Sequence, residues 1–327
     1  EFAKDALAQF PVEKTLKFFQ ELGICTTDRN GWIYPRSNQA QSVVDVLVMK
    51  ARSLKVKLKT NQTVTGVSFA DGRWKIHTDG WTYSGDAVIL ANGSRASSVA
   101  GSCESGYEIA KSLGHHLIEP LPALTALKCK GNSFSGWSGV RTEGTITLYI
   151  DGTPTVSQQG ELQLTDYGVS GIPVFQISRY AIRAVHENKN VELSINFFPE
   201  LSRKELEEYL EHRKAACPYK TEKELLIGLF PEKLIRVLCA QKDLIRGITD
   251  FRLPVKNGLS FEQAQVCSGG VDTSEVHSKT LESRLHKGLY FAGELLDIDG
   301  TCGGYNLQWA WSSGAAAGIW AAKEEEK

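Results

Sequence analysis

The first part of the chain carries two helical patterns. Apolar residues recur at helical spacing over residues 12–22, and Gly23 ends this pattern. A second helical set runs over residues 40–54, and Ser37 stands before it as the expected N-cap. The sequence therefore predicts two helices near the start of the chain.

The hydrophobic period then changes from helical to alternating. Short apolar runs over residues 56–76 predict strands, and the Asp-Gly pairs at 71–72 and 79–80 are typical of hairpin turns. Residues 62–84 are therefore expected to form a small antiparallel meander. The continuous apolar run over residues 87–91 predicts a buried strand of a mainly parallel sheet.

The middle of the chain first favours strands and then helices. A short helix is expected up to Leu113, with Gly114 as its stop, before a strand-rich stretch over residues 117–200. Within that stretch, Asp151-Gly152 offers a further hairpin turn. Residues 202–240 change to helical spacing. Two capping boxes and a first-turn proline mark the helix starts there, at Ser202, Thr221 and Pro231.

The end of the chain returns to α/β character. Residues 289–292 form a second buried-strand run, residues 306–322 predict a long helix, and the acidic residues 324–326 are expected to fray. A chain that leaves a sheet and re-enters it usually carries an inserted domain, which we place at about residues 116–267. The pattern thus predicts an α/β fold with an insert that is first β-rich and then helical.

Composition and charge limit the expected partners. The 327 residues include 37 basic and 38 acidic ones, so charge gives no basis for binding nucleic acid or an anionic membrane. No apolar run is long enough to span a bilayer, and no secretory signal opens the chain. The expectation is a cytoplasmic protein, and its oligomeric state is left open.

The seven cysteines favour a reducing compartment. Their number is odd and none forms a Cys-x-x-Cys pair, which argues against a disulfide framework and against structural zinc. No metal site is predicted. The chain begins with Glu1 instead of methionine and enters a helical pattern almost at once. It is therefore expected to be the interior of a longer protein, with a processed terminus as the alternative.

The strongest chemical signal lies near the C-terminus. The apolar run 289–292 is followed by Gly293 and Glu294, then by a loop rich in glycine and aspartate, and Gly303-Gly304 leads into the long helix. Paired glycines let backbone approach a ligand closely, and a helix N-terminus favours an electron-rich group. In a flavin enzyme that group would be the pyrimidine edge of the isoalloxazine. Glu294 would then face ribityl or phosphate hydroxyls.

A purely structural interpretation stays open for part of this region. Gly303-Gly304 alone would be a tight turn before a packed helix, and Gly314 and Gly318 would let that helix pack closely. The helix body favours this interpretation. The loop favours a ligand, because the strand, the acid, the glycine pair and the helix start occur together.

Several motifs in one order resemble a bacterial flavoprotein family. Residues 288–314 resemble the C-terminal signature of the aminoacetone-oxidase-family or BaiN-type NAD(P)/FAD-dependent oxidoreductases, and the resemblance covers nearly the whole chain. The other matching segments are Gly31-Trp32-Ile33-Tyr34-Pro35-Arg36-Ser37, Ala91-Asn92-Gly93, Gly106-Tyr107, Pro120-Leu121-Pro122-Ala123-Leu124, Asp166-Tyr167-Gly168-Val169-Ser170-Gly171 and Phe261-Glu262-Gln263-Ala264-Gln265-Val266.

The resemblance implies a fold and a pair of cofactors. The fold is a glutathione-reductase-like FAD domain interrupted by an inserted β-barrel-like domain and a helical domain. FAD is the implied cofactor, and NAD(P)H is the implied electron donor. The corresponding divisions are an FAD-binding domain over 1–115 and 268–327, a β-rich domain over 116–200 and 246–267, and a helical domain over 201–245.

Two departures from the family pattern bear on these expectations. The family begins with a βαβ unit carrying Gly-x-Gly-x-x-Gly, which places the pyrophosphate on a helix N-terminus, and this chain has no such pattern. The chain is therefore expected to be truncated, to lack the first strand of its sheet, and to bind FAD weakly or not at all. The link between Leu244 and Phe251 is short for the family, so a trimmed helical domain is expected.

The candidate cofactor-binding residues come from three places in the chain. Val64 lies in the meander where such enzymes contact adenine through backbone, with strand packing as an equal alternative. Residues 91–93 stand where the family has a strand-end Ala-Thr-Gly, and no residue can be named as catalytic. The full set is Val64, Ala91, Asn92, Gly93, Gly293, Glu294, Asp299, Gly303, Gly304, Tyr305, Asn306, Leu307 and Gln308.

Other residues carry weaker signals, each with an ordinary alternative. Arg36 would meet a phosphate or an anionic substrate, or else form a surface salt bridge. Cys302 lies beside the flavin loop, but a redox role needs a lowered thiol pKa. His115-His116 lack further metal ligands and are interpreted as loop residues. Trp309, like Tyr305, would border the flavin or pack in the core.

The sequence as a whole predicts an FAD-dependent oxidoreductase. It would transfer hydride between a nicotinamide nucleotide, flavin and a small organic substrate, which is either an enone-like or bile-acid-like compound or a small amine. The alternative is a flavin-binding or interaction module without turnover, the chain being a truncated fragment. A Rossmann enzyme that uses NAD alone is disfavoured, because the terminal loop and helix suit a flavin ring.

Overall fold

The chain divides into two compact units. The computed structural model describes residues 1–97, 102–131 and 134–323, so the acidic residues 324–326, expected to fray, lie outside the described residues. The first unit comprises the described residues of Glu1–Pro120 and Cys267–Lys327. The inserted unit comprises those of Leu121–Val266.

Helices and strands occur in short runs of the same kind along the chain. The helices are α1 (Ala3–Gln9), α2 (Val12–Glu21), α3 (Ala40–Ser53), α4 (Ser105–Ser112), α5 (Phe134–Trp137), α6 (Ile172–His186), α7 (Arg203–Ala216), α8 (Glu222–Leu225), α9 (Glu232–Cys239), α10 (Leu244–Thr249) and α11 (Tyr305–Lys323). The strands are β1 (Thr26–Arg29), β2 (Trp32–Pro35), β3 (Val64–Ala70), β4 (Arg73–Thr78), β5 (Thr82–Gly85), β6 (Val88–Leu90), β7 (Leu117–Ala123), β8 (Leu127–Cys129), β9 (Val140–Ile150), β10 (Thr153–Leu164), β11 (Gly168–Ser170), β12 (Val191–Asn196), β13 (Phe251–Gly258), β14 (Val266–Val271) and β15 (Leu289–Phe291). None of the helices in the described ranges has both the length and the apolar character needed to cross a bilayer.

Helices α2 and α3 lie where the apolar spacing predicts them. Gly23 follows α2 with a φ of 90°, a conformation that ends a helix. The predicted N-cap of α3 is wrong, because the N-cap is Gln39, which makes no side-chain cap bond. Ser37 instead accepts a hydrogen bond from the Gln39 N–H, and Asn38 between them turns the chain with a φ of 56°.

The antiparallel meander is confirmed as β3, β4 and β5. Asp71 and Gly72, between β3 and β4, have φ values of 55° and 73°, as a two-residue type I′ hairpin requires. The strand expected around Val56 and Leu58 is wrong. These side chains are 53% and 50% exposed, and they precede the first strand of the meander, which begins at Val64.

The two apolar runs of the first unit form a parallel pair. β6 pairs with β15, with Val88 opposite Leu289 and Leu90 opposite Phe291. Every residue of β15 is buried, as predicted, but Ile89 of β6 is 38% exposed. Within the described residues β6 pairs on one side only, so the prediction of a buried strand is correct for only part of β6.

Six strands of the inserted unit close into a barrel, in the order β10-β11-β8-β13-β12-β9. Asp151 and Gly152, with φ values of 50° and 80°, form the predicted hairpin between β9 and β10. Alternate residues of β9 face inward, and Ile146 and Leu148 are fully buried. A closed barrel of this kind agrees with the β-barrel-like insert that the resemblance implies.

The helices after the barrel strands share its core. α7 and α8 begin at the predicted capping boxes of Ser202 and Thr221. Pro231 is the N-cap of α9 and not a first-turn residue. One hydrophobic cluster contains both barrel residues, such as Leu148, and helix residues, such as Leu234, so barrel and helices form a single core.

The prediction of a strand-rich stretch over residues 117–200 is wrong for α6, a helix of 15 residues. Gly171 and Pro173 usually mark turns, but here they start the helix. Gly171 is its N-cap, with a φ of 107°, and Pro173 lies in the first turn, where a proline costs no hydrogen bond. Ile177 and Ala181 are fully buried in the barrel core, which stabilises the helix.

Candidate functional site

The carboxyl ends of β6 and β15 bring two groups of predicted residues together. Because the strands are parallel, residues 91–93 and residues 293–294 leave the pair at the same edge. The Ala292 N–H donates to the Leu90 carbonyl at 2.9 Å and extends the pairing to that edge. Open α/β sheets bind ligands outside this end of their strands, so this edge is the first place to expect a ligand.

The Glu294 carboxylate ties these strand ends together. Its Oε1 atom accepts hydrogen bonds from the Ser94 hydroxyl and the Cys267 N–H, both at 2.7 Å. Ser94 in turn accepts a bond from the Ala96 N–H at 3.1 Å. Burial raises the pKa of Glu294, and the bonds from Ser94 and Cys267 oppose that rise. One of its two carboxylate oxygens thus holds the protein's own loops together.

Gly106 lets α4 approach these strand ends closely. A Cβ atom on Gly106 would lie 2.9 Å from both Asn92 Cβ and Leu295 Cδ1, so a larger residue would push the elements apart. The next residue, Tyr107, buries its hydroxyl, which has no hydrogen-bond partner among the described residues. Burial, then the neighbouring Cys267 thiol and the Glu294 carboxylate, raise the pKa of Tyr107.

The loop before α11 is held in shape by two of the predicted residues. Asn306 Oδ1 accepts from the Gly300 N–H at 2.7 Å, and its Nδ2 donates to the Gly300 carbonyl at 3.1 Å. Gln308 Nε2 donates to the Phe10 carbonyl at 3.1 Å and to Thr15 Oγ1 at 3.0 Å. These two side chains support the loop, so any ligand at the helix start would meet mainly backbone.

The glycines around the site have conformations that favour glycine. Gly303 and Gly304 have φ values of 116° and 90°. At Gly93, Gly293 and Gly304, a Cβ atom would meet no other atom within 4 Å. The backbone at these three positions therefore borders open space, as a close approach to a ligand requires.

An uncharged cleft opens at the start of α11. Its volume is about 420 Å³, within the range of small-molecule sites. The residues that line it carry no charged side chain, and five of them are aromatic. They are Val12, Thr15, Leu16, Phe19, Ile24, Thr26, Gly31, Trp32, Ile33, Tyr34, Pro35, Val43, Gly303, Gly304, Tyr305, Leu307, Gln308 and Trp311.

The remaining predicted residues lie around these features. Val64 begins β3, pairs with Thr78 of β4 and packs against the core of the first unit, as the strand-packing alternative requires. Asp299 lies in the loop before α11, and Leu307 lines the cleft at 61% exposure. Cofactor binding by the predicted set stays a prediction.

His115 is a buried structural residue and not merely part of a loop. Its Nδ1 lies 3.0 Å from Glu275 Oε2, and its Nε2 lies 2.9 Å from Ser283 Oγ. Burial lowers the pKa of His115. Within the described ranges, no group of three or more His, Cys, Asp or Glu side chains is arranged to hold a metal ion.

The other weak candidates also have structural explanations. Burial raises the pKa of Cys302, which disfavours the thiolate that a redox role needs. Trp309 is 4% exposed and its Nε1 donates to the Gly293 carbonyl at 3.0 Å, which supports core packing. Arg36 is exposed.

Sequence reasoning missed three residues of this region. Ser94 and Cys267 contact Glu294 across 200 and 27 positions, and no local pattern reveals such a pair. Trp32 lines the cleft from β2; it lies in the family-like segment Gly31–Ser37, but that resemblance gave it no role in a site. These contacts depend on how distant segments pack.

Comparison with known proteins shows the family to which the chain belongs. The HI0933-like protein Rossmann domain matches residues 1–320. The chain is 43% identical over 340 residues to the 3-dehydro-bile acid delta(4,6)-reductase of Clostridium scindens, covering 99% of this chain and 83% of that protein. It is 29% identical over 331 residues to the ribosomal RNA dihydrouridine synthase of Escherichia coli, covering 95% and 80%. The synthase of that name from Haemophilus influenzae is 28% identical over 342 residues, covering 97% and 82%. The chain therefore belongs to the HI0933-like Rossmann-domain family.

Proposed function

We propose that this protein is an FAD-dependent oxidoreductase that takes electrons from NAD(P)H and reduces a carbon–carbon double bond conjugated to a carbonyl group. The observation that carries the proposal is the uncharged aromatic cleft at the start of α11, beside a glycine-rich loop. The family match and the reductase relative support oxidoreductase chemistry.

The residues at the site are suited to FAD. Gly93, Gly293 and Gly304 present backbone to open space. The first N–H groups of a helix such as α11 have no partner within the helix, and they lie at the positive end of its dipole. Gly303–Gln308 would hold the isoalloxazine, and the strand-end residues 91–93 and 293–294 would lie toward the ribityl and phosphate groups. We further propose that β6 and β15 belong to a glutathione-reductase-like sheet.

The chain's own residues would bind and orient the reactants, while bound FAD would supply hydride transfer. The apolar lining of the cleft excludes water from the reacting groups. The dipole of α11 stabilises negative charge that develops beside its first turn. Asn306 and Gln308 hold the loop so that this helix start keeps its position.

The lining of the cleft favours an enone over an amine as substrate. No carboxylate is among the described residues that line it, so nothing there would pair with an ammonium group. The names of the three relatives fit this choice, since dihydrouridine is uridine with two hydrogens added. The near-zero net charge, from 37 basic and 38 acidic residues, favours a small molecule over RNA.

The first test is the visible spectrum after adding FAD and desalting. We expect the protein to retain a flavin band, and NADH or NADPH should bleach this band in the absence of oxygen. The protein should also reduce the carbon–carbon double bond of a conjugated ketone. Gly304→Ala should lose the band, because φ at Gly304 is 90° and its methyl group would enter the cleft. Gly314→Ala, on the exposed face of the same helix, is the matched control and should keep it.

Two outcomes would contradict the proposal in different ways. A colourless desalted protein would remove the flavin assignment for this chain. A protein that keeps the flavin, yet shows neither reduction by a nicotinamide nucleotide nor oxidase activity, would instead be the flavin-binding module without turnover.

A further inference from the structure

A second cleft lies wholly within the inserted unit, between strand β10 and the start of α6. Its volume is about 430 Å³, within the range of small-molecule sites. Two glycines let the strand and the helix start approach each other. A Cβ atom on Gly171 would lie 2.6 Å from the Glu161 carbonyl oxygen, and one on Gly160 would lie 3.2 Å from Pro173 Cγ. The cleft therefore opens where the start of α6 is held against β10.

The start of α6 faces this cleft without a side-chain cap. Gly171 is the N-cap residue, and no side-chain cap bond is made there. Ile172 and Val174 lie in the first turn, where N–H groups have no acceptor within the helix, and Pro173 between them has no N–H. The helix is 15 residues long, and its dipole places partial positive charge at this end. This part of the cleft therefore favours negatively charged oxygen atoms.

A buried hydroxyl group faces the same part of the cleft. Ser170 is the last residue of β11 and lines the cleft at 8% exposure. Its neighbour Val169 is buried in the barrel core, so alternation along the strand directs Ser170 away from that core. The Ser170 hydroxyl has no hydrogen-bond partner among the described residues. Leaving a buried hydroxyl unpaired is costly, so an oxygen atom of a ligand would stabilise it.

The other polar side chains of the cleft are paired or neutral. Arg141 donates to Glu161 at 2.8 Å, and the two side chains are 64% and 53% exposed. Such an exposed pair contributes little to stability, so Arg141 can turn toward a bound anion at small cost. Four side-chain amides also line the cleft and make no hydrogen bond to the described residues; they belong to Gln158, Gln159, Gln163 and Gln176. Each amide both donates and accepts, as the hydroxyl groups of a ligand do.

An apolar wall completes the cleft. Phe175 is half-buried and Ile172 is 45% exposed, and both line it. The C–H face of a sugar ring packs well against an aromatic side chain, while its hydroxyl groups point to the rim. The volume of the cleft exceeds that of a phosphate ion, so it leaves room for such an organic part beside the anion.

We propose that this cleft binds a small phosphorylated sugar, with the phosphate group at the start of α6 and the sugar hydroxyls at the glutamine amides. The Ser170 hydroxyl and the Ile172 N–H would donate to phosphate oxygens, and Arg141 would pair with the phosphate charge. Glu161 would stay beside the ligand as a carboxylate that opposes the phosphate. The proposal concerns the inserted unit alone, so it does not depend on the proposed oxidoreductase activity.

The test is a calorimetric titration of the whole chain with three probes, which are glucose 6-phosphate, glucose and inorganic phosphate. Ser170→Ala removes only the hydroxyl. Ser157→Ala is the matched control, because Ser157 is exposed on β10 and lies outside the cleft. The backbone amide resonances of Ile172 and Val174, followed by NMR, report whether a probe binds at the helix start.

The wild-type protein should bind glucose 6-phosphate more tightly than either glucose or inorganic phosphate, and the two amide resonances should shift. Ser170→Ala should weaken binding of glucose 6-phosphate about tenfold or more, the range of a hydrogen bond to a charged group, and Ser157→Ala should not. Glu161→Gln should strengthen this binding about two- to fivefold, because it removes a like charge and frees Arg141. A purely structural role of Glu161 would not produce tighter binding.

Several results would overturn the proposal. Binding of glucose or of inorganic phosphate as tight as that of glucose 6-phosphate would remove the phosphorylated sugar. Unshifted Ile172 and Val174 resonances, or no saturable binding of glucose 6-phosphate, would remove the site. Equal affinity of the wild-type protein and a folded Ser170→Ala would remove the role of the buried hydroxyl. If Ser170→Ala does not fold, Glu161→Gln decides the question, because weaker or unchanged binding there contradicts a phosphate beside this carboxylate.

Discussion

Glu294 is expected to hold together the edge of the first unit at which β6 and β15 end, and its removal should destabilise that edge strongly. Glu294→Ala would leave the Ser94 hydroxyl and the Cys267 N–H buried without their acceptor. Each bond to a charged, buried acceptor contributes about 1.5–3 kcal/mol. With two such bonds lost, the free energy of unfolding should therefore fall by about 3–6 kcal/mol.

Glu294→Gln separates the hydrogen bonds from the charge. The amide oxygen can still accept from Ser94 and Cys267, so we expect a loss of about 1 kcal/mol or less at neutral pH. Burial raises the folded-state pKa of Glu294 above its unfolded value, so the folded chain holds this proton more tightly. The stabilising contribution is present below the unfolded pKa and is lost as pH rises through the folded pKa. The free energy of unfolding of Glu294→Gln, relative to that of the wild-type protein, should therefore increase as the pH rises through this window.

Urea unfolding and hydrogen exchange measure the two consequences directly. Unfolding curves give the change in free energy, and exchange of the Cys267 amide reports the broken bond. Glu21→Ala is the control, since the Glu21 side chain is 65% exposed and lies 4.0 Å from Lys17. A cost below about 1 kcal/mol for Glu294→Ala, with unchanged protection of the Cys267 amide, would refute the reasoning.

Two further predictions concern buried groups of the same unit. Burial lowers the pKa of His115, so the unfolded chain takes up this proton first, and stability should fall as the pH drops from about 6.5 through the folded-state pKa. His115→Gln should remove this slope from urea midpoints measured between about pH 7.5 and pH 5, and an unchanged slope would contradict the assignment. Tyr107→Phe removes a buried hydroxyl that has no partner among the described residues, and should raise the free energy of unfolding by about 1 kcal/mol. A clear loss of stability in a thermal unfolding experiment would show that this hydroxyl is hydrogen-bonded.

The sequence by itself determined the features that depend on a few neighbouring residues. The type I′ turns at Asp71-Gly72 and Asp151-Gly152 need only two residues that accept positive φ. The capping boxes of α7 and α8 join residues three positions apart. The apolar run of β15 and the glycine pair before α11 likewise give strand, loop and helix start at the predicted places. Local spacing is sufficient here because each interaction closes within one turn or one strand.

Tertiary structure alone decided what the site residues do. Packing places Ser94 against Glu294 and Trp32 against Gly303, which no spacing in the sequence indicates. Packing also turns Gln308 toward the segment between α1 and α2. Its side-chain amide, which the sequence assigned to a cofactor, therefore donates a hydrogen bond to the protein backbone. Helix α6 forms within the stretch 117–200 that was expected to be rich in strands, because the barrel core buries its apolar face. In each case the deciding free energy comes from burial and hydrogen bonding between segments far apart in the chain. Local propensity depends only on neighbouring residues, so it does not reveal those distant partners.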